Sequence, residues 1–117
     1  MTNRRQPSAM RLTAALVLAA PLCLLWPLSG RAAVPRGEQL YKSNDCVTCH
    51  AIDHKLIGPS YVDVAKKYAG QPGAVEMLVK AVKDGHVGTW GQIPMPPHPN
   101  LSDADIKTMV EWILSLK

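Results

Sequence analysis

Apolar residues in this chain form one long block and then several interrupted ones. The block runs from Leu12 to Leu28, broken by Pro21 and Pro27. Arg4, Arg5 and Arg11 precede it and Ser29-Gly30-Arg31-Ala32-Ala33 follows, which is the three-part layout of a secretory signal. Cleavage is expected near Ala32, leaving residues 1–32 as signal peptide and 33–117 as the mature domain. The competing reading is a retained anchor, since the run is not far short of spanning length. A lipoprotein site at Cys23 is disfavoured by the bulky Leu22 before it.

Beyond residue 33 no strand-like alternation of any length occurs, and helical spacing dominates. Residues 37–45 read as a short helix with Leu40 and Tyr41 as its apolar contacts. Ser60 and Asp63 have capping-box spacing and open a second helix that stops at Gly70. Pro72 suits a first helical position and opens a third, with Val75, Leu78, Val79 and Val82 recurring before Gly85 closes it. Ser102 and Asp105 repeat the cap. The helix they start places Ile106, Met109, Val110, Ile113 and Leu114 on one broad face, with Trp112 at its edge. Met77 and Met109 read as packing. The intervening stretches, 50–59 and 84–100, are irregular. Prolines 94, 96, 97 and 99 make the second a stiff extended loop, and loops this long in so short a chain are usually functional.

Charge and cysteine content sharpen this picture. The full chain carries a formal +4, but four of its 13 basic residues lie in the export segment and none of its nine acidic ones does. The mature 85 residues are therefore neutral, and a nucleic-acid partner has no support. A domain of this size buries a modest share of its surface and usually needs a staple. Cys46 and Cys49 are a poor one, because a bridge between them closes a four-residue loop worth about 2 kcal/mol.

Both cysteines belong to N-D-C-V-T-C-H, residues 44–50. A redox dithiol requires a strand-helix-strand setting that is not visible here. A zinc site assembled from Cys46, Cys49, His54 and His98 requires ligands spread far apart in sequence. His50 separates the third reading from these two. In C-x-x-C-H two thiols add across the vinyl groups of one porphyrin edge while the next side chain offers an imidazole to the iron. A covalent haem c is also the missing staple, a large apolar plate for the chain to wrap.

With C-V-T-C-H-A-I-D, I-G-P, S-Y-V-D-V-A, T-W-G-Q-I-P-M-P-P and a closing W-I-L-S-L-K in this order, the chain from about residue 37 to Lys117 resembles the small periplasmic class I monohaem cytochromes c of denitrifying and respiring bacteria. The resemblance implies an all-α class I fold, about four helices around one haem, with the first and last crossing. It implies thioethers at Cys46 and Cys49, and iron ligands His50 and Met95, the latter 45 residues after the former. The Pro59 carbonyl would hold the other imidazole nitrogen, and Trp90 would donate to a haem propionate. His98 is the rival to Met95, while His54 and His86 read as exposed loop residues. Family members often carry a basic residue on the third helix to meet the propionates. Ala81 stands there, which leaves the propionate partners unassigned.

An iron with protein ligands on both faces offers no site for substrate, so a soluble, monomeric electron carrier is expected rather than an enzyme. Its partners would be redox proteins: nitrite reductase, a terminal oxidase or a respiratory cytochrome complex. No stable membrane insertion is expected after cleavage. The alternative is a haem enzyme or gas-binding protein with a labile sixth ligand.

Overall fold

A computed structural model of the chain describes residue 30 and residues 32–117. The expected signal peptide, with its cleavage site and Cys23, thus falls almost wholly outside the described residues. Four α-helices carry the domain: α1 Arg36–Ser43, α2 Tyr61–Tyr68, α3 Ala74–Asp84 and α4 Asp103–Leu114. A short 3-10 turn, Asp45–Thr48, and an antiparallel pair of strands, β1 His86–Gly88 and β2 Gly91–Met95, complete it.

The two serine caps form as expected. Ser60 Oγ accepts from the Asp63 N–H at 3.0 Å, and Ser102 Oγ accepts from that of Asp105 at 3.1 Å. Each satisfies a donor that the first helical turn leaves unpaired. The third helix starts later than Pro72 implies. Pro72 and Gly73 occupy the corner of a turn closed by the Ala74 N–H on the Gln71 carbonyl at 3.3 Å. Gly73 has φ +76°, the left-handed conformation that glycine supplies at the third position of a Pro-Gly turn. Proline's fixed φ serves that turn instead of a helical first residue.

The core is built on α4. Ile106, Met109, Val110 and Ile113 are buried against Leu40 and Tyr41 of α1, Val64 and Tyr68 of α2, and Val82 of α3. Helices α1 and α4 cross at Gly37, where a Cβ would run into the Trp112 side chain and meet the Thr108 carbonyl at 3.0 Å. Tyr41 stacks on Trp112 at 5.9 Å between ring centroids, and Tyr61 meets both rings edge-on.

Two expectations are corrected. Met77 is 46 % exposed and borders a cavity instead of packing in the core. Residues 84–100 are not wholly irregular, since β1 and β2 pair with His86 opposite Met95 and Gly88 opposite Gly91. The strands escape pattern recognition because they are short and almost fully exposed, so no buried face imposes alternation. Among the described residues no helix is long and apolar enough to cross a membrane.

Candidate functional site

The C-V-T-C-H segment coils so tightly that its three functional side chains share one side. The Cys49 and His50 N–H groups both donate to the Cys46 carbonyl, at 3.1 and 2.9 Å. Both thiols are unbridged. Burial pushes the Cys46 thiol up from its ordinary range, the opposite of what a nucleophilic redox cysteine needs.

His50 is held at four points. Its N–H is in the turn just described, and its carbonyl accepts from the Tyr41 hydroxyl at 2.8 Å. Its ring stacks on Tyr61 with centroids 5.0 Å apart and planes 19° from parallel. Its Nδ1 lies 2.8 Å from the Pro59 carbonyl. A carbonyl can only accept, so Nδ1 carries the proton and Nε2 presents a lone pair. Gly58 makes this approach possible, because a Cβ there would lie 2.5 Å from the His50 Cε1. The loop that delivers Gly58 and Pro59 is itself tied down. The Gly58 N–H donates to the Cys49 carbonyl at 2.8 Å, and the Tyr61 and Val62 N–H groups donate to Ala51 and Ile52.

Cys46, Cys49, His50 and Pro59 border a cavity of about 1010 Å³. Val64 and Tyr68 of α2, Leu78 and Val82 of α3, and Met109 and Val110 of α4 add an apolar wall. The hairpin supplies the remaining boundary, with Trp90, Ile93 and Met95 among its residues. Met95 ends β2 and is half-buried. Its position follows from contacts at the end of α3. The His98 N–H donates to the Val82 carbonyl at 3.0 Å, and the Met95 carbonyl lies 2.9 Å from where a Gly85 Cβ would stand.

The cavity is large for a domain of this size, at the upper end of the ~300–1,000 Å³ usual for small-molecule sites. Its residues fit a covalent haem. Two unbridged thiols, an imidazole with an outward lone pair and a thioether border one mainly apolar space, and Cys46, Cys49 and His50 would hold the plate from one side. His98 also borders it, and its Nδ1 is the one buried side-chain nitrogen or oxygen without a hydrogen-bond partner among the described residues. Such an atom, next to the cavity, is another sign that something belongs there.

Other predicted residues fall elsewhere. His54 is exposed with its Nδ1 2.8 Å from Asp53 Oδ1, and His86 is exposed with its Nε2 2.6 Å from the Thr89 hydroxyl. Among the described residues no three His, Cys, Asp or Glu side chains gather as a metal site. Trp90 stands at the cavity's edge, 38 % exposed. Sequence reasoning missed the support that Tyr41, Gly58 and Tyr61 give to His50. A glycine just before Pro59 was the available signal for one of them, and nothing local marks the tyrosines.

The family model described as "Cytochrome c" matches residues 34–117. A cytochrome c-551 from Azotobacter vinelandii is 54 % identical over 81 residues, covering 69 % of this chain and 98 % of that one. A cytochrome c-551 from Pseudomonas aeruginosa is 51 % identical over 80 residues, covering 68 % of this chain and 76 % of the other. Among solved structures, the crystal structure of wild-type Nitrosomonas europaea cytochrome c552 superposes with a TM-score of 0.66 at 48 % identity, over 68 % of this chain and 99 % of that one.

Proposed function

This chain belongs to the cytochrome c family, and on that premise we propose that it is a periplasmic carrier of single electrons whose haem iron is ligated by His50 and Met95. It carries one covalent c-type haem and is an electron carrier, not an enzyme. When bound, the haem supplies a one-electron couple between ferrous and ferric iron.

The chain's own residues do the rest. Cys46 and Cys49 tether the porphyrin edge through thioethers. The observation that carries the ligand assignment is the His50 ring, fixed by Pro59 and Tyr61 with its Nδ1 engaged by the Pro59 carbonyl. The Nδ1 bond to Pro59 raises the basicity of that nitrogen. Met95 is the second ligand because Pro94 and Pro96 stiffen its segment and because it borders the same cavity. A thioether is soft and favours ferrous iron, which holds the potential high. Trp90, at the cavity's edge, would donate its indole N–H to a haem propionate. The apolar wall from α2, α3 and α4 would keep water from the bound iron, and His50 with Met95 as its ligands would leave no place for substrate.

Electrons pass to and from redox proteins of the respiratory chain, with nitrite reductase, a terminal oxidase or a cytochrome complex as the candidate partners. The carrier is monomeric.

A pair of variants tests the ligand set. His98→Ala should keep the sulfur-to-iron charge-transfer band of the ferric protein and its positive potential, while Met95→Ala should lose both. Survival of the band in Met95→Ala, or its loss from a folded His98→Ala protein, would overturn the assignment and restore the reading of a haem protein with a labile sixth site.

A further inference from the structure

An unbroken column of aromatic rings starts at His50 and ends at a half-buried indole. The Tyr61 ring lies along the imidazole, 19° from parallel with centroids 5.0 Å apart, and it also meets Tyr41 at 5.1 Å and Trp112 at 6.0 Å. Tyr41 in turn stacks on Trp112 at 5.9 Å and 27°. Every one of these separations falls within the ~4.5–7 Å of aromatic contact. Trp112 and His50 are therefore joined twice. One link runs through Tyr61 by ring contacts alone, and the other through Tyr41 by a ring contact and the 2.8 Å hydrogen bond from its hydroxyl to the His50 carbonyl.

The two ends of the column differ in setting. Tyr61 borders the cavity, whereas Tyr41 and Trp112 do not, and of the three only Trp112 is open to solvent in part. The column thus reaches water outside the cavity's border, independently of the hairpin edge. Its members also differ in how readily they give up an electron. Burial pushes the Tyr61 phenol up from its ordinary value, and the Tyr41 hydroxyl faces only a backbone carbonyl, so neither has a base to take the proton that tyrosine oxidation releases. The tyrosines can bridge, and the indole is where an electron is removed.

We propose that this column is a second electron route of the carrier, through which an indole oxidised at Trp112 by a small one-electron oxidant is refilled from the haem. The proposal rests on the haem reading above, with His50 as an iron ligand. One electron leaves the Trp112 indole for the oxidant and leaves an indole radical cation behind. One electron from ferrous iron then restores the indole by way of His50 and the two tyrosines. The iron ends ferric and the oxidant is reduced by one electron, with no bond made or broken and no net proton moved. Tyr41 and Tyr61 are positioning residues in this route. The Trp112 face serves diffusible radicals, and the hairpin edge serves redox proteins.

The test is flash photolysis of the ferrous holoprotein with tris(bipyridine)ruthenium(II) and an irreversible quencher, which generates a ruthenium(III) one-electron oxidant in solution. A Trp90→Phe background removes the other indole of residues 33–117 from the measurement. Transient absorption should show an indole radical that decays as the ferrous haem band bleaches, in a phase whose rate does not depend on ruthenium concentration. Trp112→Phe keeps an aromatic ring at the helix crossing and should lose this phase, leaving only bleaching that scales with ruthenium. Tyr41→Phe combined with Tyr61→Leu should slow the phase severalfold, and if that protein fails to fold, Trp112→Phe decides alone. Absence of the phase from the background protein, its persistence in Trp112→Phe, or an unchanged rate in the folded double variant overturns the proposal. Retained covalent haem, an intact sulfur-to-iron band in the ferric form and an unshifted potential relative to the background show that the haem reading stands, so such a result would refute the column alone.

Discussion

At the scale of single residues, the site depends on how little freedom His50 has. Gly58 has no side chain because the imidazole occupies that space. Gly58→Ala should force the ring or the loop aside and cost about 1–3 kcal/mol in urea unfolding, the usual penalty for overpacking. The same variant should speed exchange of the His50 Nδ1 proton in NMR spectra, because the bond to Pro59 weakens. Tyr61, stacked on the other side, links stability to alkaline pH. Burial, above all, pushes its phenol well above the ordinary value of 10.0. A raised folded-state value means the native protein keeps a proton that the unfolded chain releases. The stabilisation is therefore complete below about pH 10 and falls by about 1.4 kcal/mol per unit as pH rises further. Urea unfolding near pH 9 and pH 11 should show a smaller alkaline loss in Tyr61→Phe than in the parent.

Between elements, the crossing of α1 and α4 sets the frame. It brings Tyr41 within reach of both Trp112 and the His50 carbonyl, so the helix that precedes the cysteine motif also braces its histidine. The crossing requires Gly37, since any side chain there would run into Trp112. Gly37→Ala should destabilise the protein by about 2 kcal/mol, lowering Tm by roughly 8–16 °C for a domain of this size. Thermal unfolding monitored at the haem bands measures it, and an unchanged Tm would mean the helices separate without cost. The caps, the third-helix stop at Gly85 and the apolar stripe of α4 were legible because each is a local signal. The start of α3 was not, because Pro72 satisfies a turn and a helix start equally and Gly73 decides between them. The hairpin was not legible either, because two exposed strands leave no hydrophobic period.

On the scale of the whole molecule, residues 33–117 carry nine basic and nine acidic side chains, while the hairpin exposes an apolar edge. Ile93 is 69 % exposed beside Pro94 and Pro96, and Val47, next to the cysteines, is 44 % exposed. Docking through these residues should depend weakly on charge. Raising salt should slow electron transfer with a redox partner modestly, whereas Ile93→Asp should slow it severalfold at fixed salt. Stopped-flow rates across an ionic-strength series check both. A steep salt dependence together with an unaffected Ile93→Asp protein would place docking on charged residues instead.

What the sequence determined by itself was everything that rests on covalent spacing or local helical period. Adjacent Cys46, Cys49 and His50 must reach one rigid plate, serines at 60 and 102 must meet N–H groups three residues on, and the α4 stripe must be buried. The approach of Pro59 to His50, and of Met95 to the same cavity, was anticipated from family resemblance, not from any local signal. Only the tertiary structure decided which distant groups meet. The Tyr41 hydroxyl reaches His50 through the α1–α4 crossing, Tyr61 stacks on it through the start of α2, and Lys67 of α2 comes over the Trp90 ring between the strands. Such contacts join segments whose separation along the chain carries no periodic signal, so they exist only once the helices have packed and one side chain's volume excludes another's.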